Sequence, residues 1–112
     1  LRNGSDQTLT GLRVQVCGHL KGAHDFNEQT TTNKVLKCPF AGVHSAGGDR
    51  WILTAWERCG RSWGHPLVPC IHADPVFPDC PPGETVRVRG RLWFYEGKEV
   101  DRELAAAKAR FQ

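Results

Sequence analysis

Apolar and polar positions alternate most strictly near the end of the chain. Val86, Val88, Leu92 and Phe94 fall on one parity, and Arg87, Arg89, Arg91, Trp93 and Tyr95 fall on the other. A period of two is the mark of a strand with one buried face. It predicts a strand over 84–95 with the first set on one face and the arginines and rings on the other. The same alternation runs through Leu12, Val14, Val16 and Leu20, broken at Gly18, which suggests a bulge or a close backbone approach there. Residues 35–44 read as an extended segment that Pro39 confines to an edge or a bulge, and 45–49 as a hairpin loop. Residues 50–57 carry apolar side chains on both parities, Trp51, Leu53 and Ala55 against Ile52, Thr54 and Trp56, so a central strand covered on both sides is expected. Over 98–111 the period changes. Val100, Leu104, Ala107 and Phe111 recur at helical spacing, with Glu99 and Asp101 early and Lys108 and Arg110 late, an order that suits the helix dipole. The pattern predicts one mainly β domain over 1–112. Its form is an antiparallel β-sandwich of about five or six strands with one C-terminal α-helix.

Two stretches fall outside this alternation. Residues 21–33 are polar, with Phe26 as the one large apolar anchor, and read as a long surface loop. Residues 65–83 hold six of the seven prolines, which argues against a helix or a central strand and for a stiff loop. That loop also holds His65, Cys70, His72, Asp74, Phe77, Asp79 and Cys80. In an extended segment Cys70, His72 and Asp74 would share one face.

Composition narrows the function. A net charge of +3 is too mild to point to nucleic acid, so none is expected as a partner. No apolar run approaches the roughly 20 residues of a membrane span. The chain lacks Met and begins at Leu1, from which a processed terminus or the tail of a larger protein is expected. Asn3-Gly4-Ser5 matches a glycosylation sequon. Five cysteines without a C-x-x-C pair exclude a zinc ribbon. Reduced, partly buried thiols and a Cys70–Cys80 disulfide bracing the loop both remain open. His65, Cys70, His72, Asp74 and Cys80 are metal-ligand types, but their spacing matches no known ligand pattern, so no metal or cofactor is assigned. No local signature of a cysteine hydrolase is present. Asp74, Asp79, Glu57 and Glu84 suit turn chemistry as well as acid–base chemistry.

Rings remain. Trp51, Trp56, Trp63, Phe77, Trp93 and Tyr95 are many for so short a chain, and rings stack on the apolar faces of sugars. Trp93 and Tyr95 share a parity with three arginines, a face suited to an anionic sugar. The same pattern also fits a solvated face whose rings lie under the C-terminal helix. The residues selected as ligand-binding are Trp56, Trp63, His65, His72, Asp74, Trp93 and Tyr95. They lie at the end of the two-faced strand, in the loop after it, and on the last strand.

Three segments together resemble a known group. They are Leu1 to Leu12 with its Asn3-Gly4 turn, Cys70-Ile71-His72-Ala73-Asp74-Pro75 with Pro78, and Pro82-Gly83-Glu84-Thr85-Val86 followed by Gly90 to Gly97. They are similar to the strand entry, late loop and closing unit of galactose-mutarotase-like supersandwich domains and related bacterial carbohydrate-processing β-sandwiches. The resemblance implies a carbohydrate-associated module, the C-terminal part of a larger sugar-binding or sugar-processing protein. It transfers no catalytic residue, because the family's acid and base cannot be placed here. The alternatives are a metal-dependent or acid–base enzyme acting on a sugar, and a purely structural domain.

Overall fold

The computed structural model of the chain describes residues 1–20, 22, 24–26, 34–65 and 67–110. Most of the expected loop at 21–33 lies outside these residues. Among them are seven strands: β1 (Cys17–His19), β2 (Val35–Lys37), β3 (Phe40–His44), β4 (Arg50–Trp56), β5 (Cys59–Trp63), β6 (Cys70–Pro75) and β7 (Gly90–Glu96). A helix, α1 (Val100–Ala109), follows. All pairings are antiparallel, in a four-stranded sheet ordered β2-β3-β4-β7 and a three-stranded sheet ordered β1-β6-β5. The expected mainly β sandwich with one C-terminal helix is the observed architecture.

The two parities of β4 set the layers. Trp51, Leu53 and Ala55 pack with Phe40 and Trp93 beneath Leu104 and Ala107 of α1. On the other side Ala41 and Val43 of β3 meet Ile71 and Ala73 of β6, with Leu20, Ile52, Trp56 and Phe26 around them. β4 is therefore central, as its sequence requires, and Phe26 is the apolar anchor expected of it. β2, set off by the cis Cys38–Pro39 turn, occupies one edge of its sheet. The hairpin after β3 closes through Ser45 N–H to the Arg50 carbonyl at 2.8 Å, with Gly48 at φ 72° in the left-handed region that favours glycine.

Three expectations fail. The proline-rich segment is not all loop, because Cys70–Pro75 is the middle strand of the three-stranded sheet and is buried at every position. Pro69 precedes this strand and Pro75 ends it, so the five residues between them keep their ladder donors. The last strand starts at Gly90 rather than 84, and of the two readings of its ring-bearing face the one beneath the helix is observed. Trp93 and Tyr95 turn under α1, while Leu92 and Phe94 are 59% and 74% exposed. The two rings bury more apolar surface than the aliphatic parity offers, and the Trp93 indole N–H donates to Glu103 of the helix at 2.9 Å. The disulfide joins Cys38 and Cys59, leaving Cys17, Cys70 and Cys80 free. The helix spans 100–109, and Phe111 lies outside the described residues.

Residues 1–14 run antiparallel to 75–86 as an interrupted ladder, with bridges at Arg2–Thr85, Leu9–Cys80 and Arg13–Val76. Asn3 anchors it. Its buried side chain donates to the carbonyls of Gln7 and Cys80 at 2.7 and 2.8 Å and accepts from Ser5. The sequon's amide nitrogen is thus spent on internal hydrogen bonds in the folded chain. Asn3→Ala strands two carbonyls and is expected to lower stability by about 2–3 kcal/mol, read as a shift in the urea midpoint at unchanged slope.

Candidate functional site

β6 divides its side chains by parity. Ile71 and Ala73 enter the core between the sheets. Cys70, His72 and Asp74 project from the opposite face and are nevertheless buried, at 2%, 2% and 0% exposure. The register explains what surrounds them. Cys17 and Trp63 stand directly across from His72 on its two sides, Arg61 stands across from Asp74, and His19 stands across from Cys70. Direct cross-strand neighbours are close enough to touch, so the middle strand's polar face is roofed by its flanks.

Asp74 takes three donors. Arg61 Nε lies 2.8 Å and Trp63 Nε1 3.0 Å from its Oδ2, and the Val16 N–H lies 3.1 Å from Oδ1. Burial pushes this carboxyl up, but the bonds from Arg61, Trp63 and Val16 outweigh it and hold the group below its ordinary value. Trp63 also stacks on the imidazole of His72, with centroids 3.8 Å apart and planes 14° from parallel, and the Arg61 guanidinium lies 5.0 Å from the Trp63 ring centroid.

His72 is less well served. Its Nε2 lies 3.4 Å from Cys70 Sγ, and its buried Nδ1 has no hydrogen-bond partner. Burial, with Arg61 adding to it and Asp74 opposing it, lowers its pKa, so the ring is neutral near pH 7. Cys17, exposed at the sheet edge, completes a group: one ligand atom each from Cys17, Cys70 and His72 lies within 4.8 Å of the other two. Burial and then the neighbouring Cys70 raise the Cys17 thiol.

Of the residues selected from sequence, Trp63, His72 and Asp74 come together. His65 does not join them. It is exposed, and its Nδ1 accepts the Leu67 N–H at 3.2 Å. Trp56 sits on β4 in the other sheet, over Gly90, where a β-carbon would collide with its ring. Trp93 is in the core beneath α1. Tyr95 packs beside it and lines a groove of about 290 Å³ with Glu99, Arg102, Glu103 and Ala106. Of the arginines expected beside these rings, Arg91 lies 5.2 Å from the Trp93 ring centroid, while Arg89 is paired with Glu57 at 2.9 Å. Cys80 is buried elsewhere, its thiol directed at the Glu84 carbonyl 3.4 Å away. Cys17 was the residue missed. Its place in an alternating segment was visible, but only strand pairing sets it opposite His72.

Two titrations shape the acid limb of stability. The unfolded chain takes up a proton near the ordinary histidine value of 6.5, which buried His72 resists. Stability of the metal-free chain should therefore fall as pH drops below about 6.5. Asp74, with its carboxyl held low, adds a second loss below its ordinary value of 3.8. Urea midpoints measured across pH should show the first loss disappear in His72→Phe. Asp74→Asn, which turns a donor toward Arg61 and Trp63, should cost about 2–4 kcal/mol at neutral pH.

Comparison of the chain with protein-family models, with curated proteins and with solved structures returns no match.

Proposed function

We propose that this chain is a metal-binding β-sandwich module that holds a soft cation, zinc or cuprous copper, on Cys17, Cys70 and His72. The observation that carries the reading is the convergence of two thiols and a neutral imidazole within 4.8 Å on one sheet face. A tetrahedral zinc with ordinary bond lengths sets sulfur and nitrogen about 3.6 Å apart and two sulfurs about 3.8 Å apart. The 3.4 Å between Cys70 Sγ and His72 Nε2 already fits the first figure, and side-chain rotation of Cys17 supplies the rest. Thiolate and imidazole ligands select zinc or cuprous copper over magnesium or calcium.

Three protein ligands leave a fourth position, and the exposed side is that of Cys17. An open position is the arrangement of zinc sites that bind a water or an incoming ligand. The Trp63 stack fixes the imidazole plane, and Asp74 in turn fixes Trp63. The Cys38–Cys59 disulfide adds an argument. Such bonds persist in oxidising surroundings, where two bare neighbouring thiols would couple, whereas a bound cation holds both as thiolates.

The full chain, purified under reduction and dialysed against zinc, should retain one equivalent by elemental analysis. Cobalt in its place should give a thiolate charge-transfer band. Cys17→Ser, Cys70→Ser and His72→Phe should each weaken binding by about tenfold or more while keeping the circular dichroism of the parent. A chain that binds no zinc or copper, or that forms a Cys17–Cys70 disulfide even with metal in excess, overturns the reading.

A second reading, a carbohydrate-associated module, draws on the groove at Tyr95. An aromatic ring beside Glu99, Arg102 and Glu103 combines a stacking surface with hydroxyl-binding groups. Its volume is near the lower bound of about 300 Å³ for small-ligand sites, room for one neutral monosaccharide. Titration of the chain with monosaccharides should move the Tyr95 ring resonances, and Tyr95→Ala should abolish the response. Unmoved resonances at millimolar sugar would exclude this reading.

A further inference from the structure

β7 is the last strand of its sheet, and among the described residues nothing pairs with its outer side. The backbone bonds show which residues face that side. Glu57 N–H donates to the Arg89 carbonyl at 3.0 Å and Gly97 N–H to the Asp49 carbonyl at 2.7 Å. In an antiparallel ladder hydrogen-bonded pairs alternate, so Arg91, Trp93 and Tyr95 bond toward β4, while Gly90, Leu92, Phe94 and Glu96 direct their N–H and C=O groups outward. The residues with free backbone groups are thus the ones with the exposed apolar side chains, Leu92 and Phe94.

Edge strands are normally shielded by a proline, a lysine, a bulge or shortness. β2, at the other edge, is three residues long. β7 runs seven residues with no proline, no lysine and an unbroken register against β4.

We propose that β7 pairs antiparallel with β7 of a second copy of this chain, joining two four-stranded sheets across a twofold axis near Trp93. The strand's own composition selects this occupant. Arg87 and Arg89 precede it and Arg91 stands near its start, while Glu96 ends it and Glu99, Asp101 and Glu103 outnumber Lys98 and Arg102 beyond it. Antiparallel self-pairing sets the basic end of one copy over the acidic end of the other, and a parallel pair would oppose like charges. With Leu92 opposite Phe94 of the second copy, both pairs exchange their outward backbone bonds, and the four apolar side chains gather on one face. The contact closes on itself, as an isologous interface does, and it does not depend on the metal.

Sedimentation of the full chain should show a monomer–dimer equilibrium. Hydrogen exchange at the Leu92 and Phe94 amides should slow as concentration rises, while Trp93, already bonded to β4, should not change. Phe94→Lys places a charge on a side chain now in solvent, so it should fold normally by circular dichroism and weaken the dimer by about tenfold or more. A chain that stays monomeric at high micromolar concentration overturns the proposal. So does a dimer that Phe94→Lys leaves intact or that leaves the Leu92 and Phe94 amides unprotected.

Discussion

The Asp74 carboxylate has no access to water, and the protein alone must satisfy it. A buried charge is tolerated only when paired and hydrogen-bonded. Here the donors come from both flanks: a guanidinium and an indole from β5, and a backbone amide from the approach to β1. Satisfying one group therefore fixes three strands. Shifting β5 by one residue would turn Arg61 and Trp63 to the other face of the sheet, and shifting the β1 flank would draw the Val16 N–H away. The burial that imposes this also shields His72 and keeps its imidazole neutral.

That arrangement gives the small sheet two kinds of interior. Ile71 and Ala73 make the usual apolar contact with the larger sheet, and the alternate residues make a polar layer on the outside. Trp63 holds the layer together, since its ring lies on His72 and its N–H lies on Asp74. It serves the molecule as a brace, and the stacking that could have met a sugar is spent on a histidine and an arginine. The large sheet uses its rings similarly. Trp51 and Trp93 fill the space under α1, which is why so aromatic a chain shows few rings to solvent.

Much of this could be read from residues. The two-faced run from Arg50 to Trp56 demanded a central strand, and the change of period after Gly97 marked the helix. The facing of β7 could not be read, because alternation reports two faces without saying which is inside. The helix decides that by covering Trp93 and Tyr95. Counting prolines misjudged β6, since their positions at its ends mattered and their number did not. Cys70, His72 and Asp74 were correctly expected to share a face if extended. Yet Asp74 is taken by Arg61, and the third member of the thiol–imidazole cluster is Cys17, far away in sequence, where no local spacing could signal it.

The pairing of residues 1–14 with 75–86 has a consequence for how the chain acquires its shape. Asn3 bonds to a carbonyl 77 residues away, and contacts so distant along the chain close late because the intervening loop must be ordered first. The opening segment therefore has no partner until residues 75–86 are in place. The β3–β4 hairpin needs only its neighbours and can form early. Cys38 and Cys59 are 21 residues apart and close a shorter loop than Cys17 and Cys70, which meet only once β1 and β6 pair. The shorter loop holds the bonded thiols, and the longer one holds the pair that stays free.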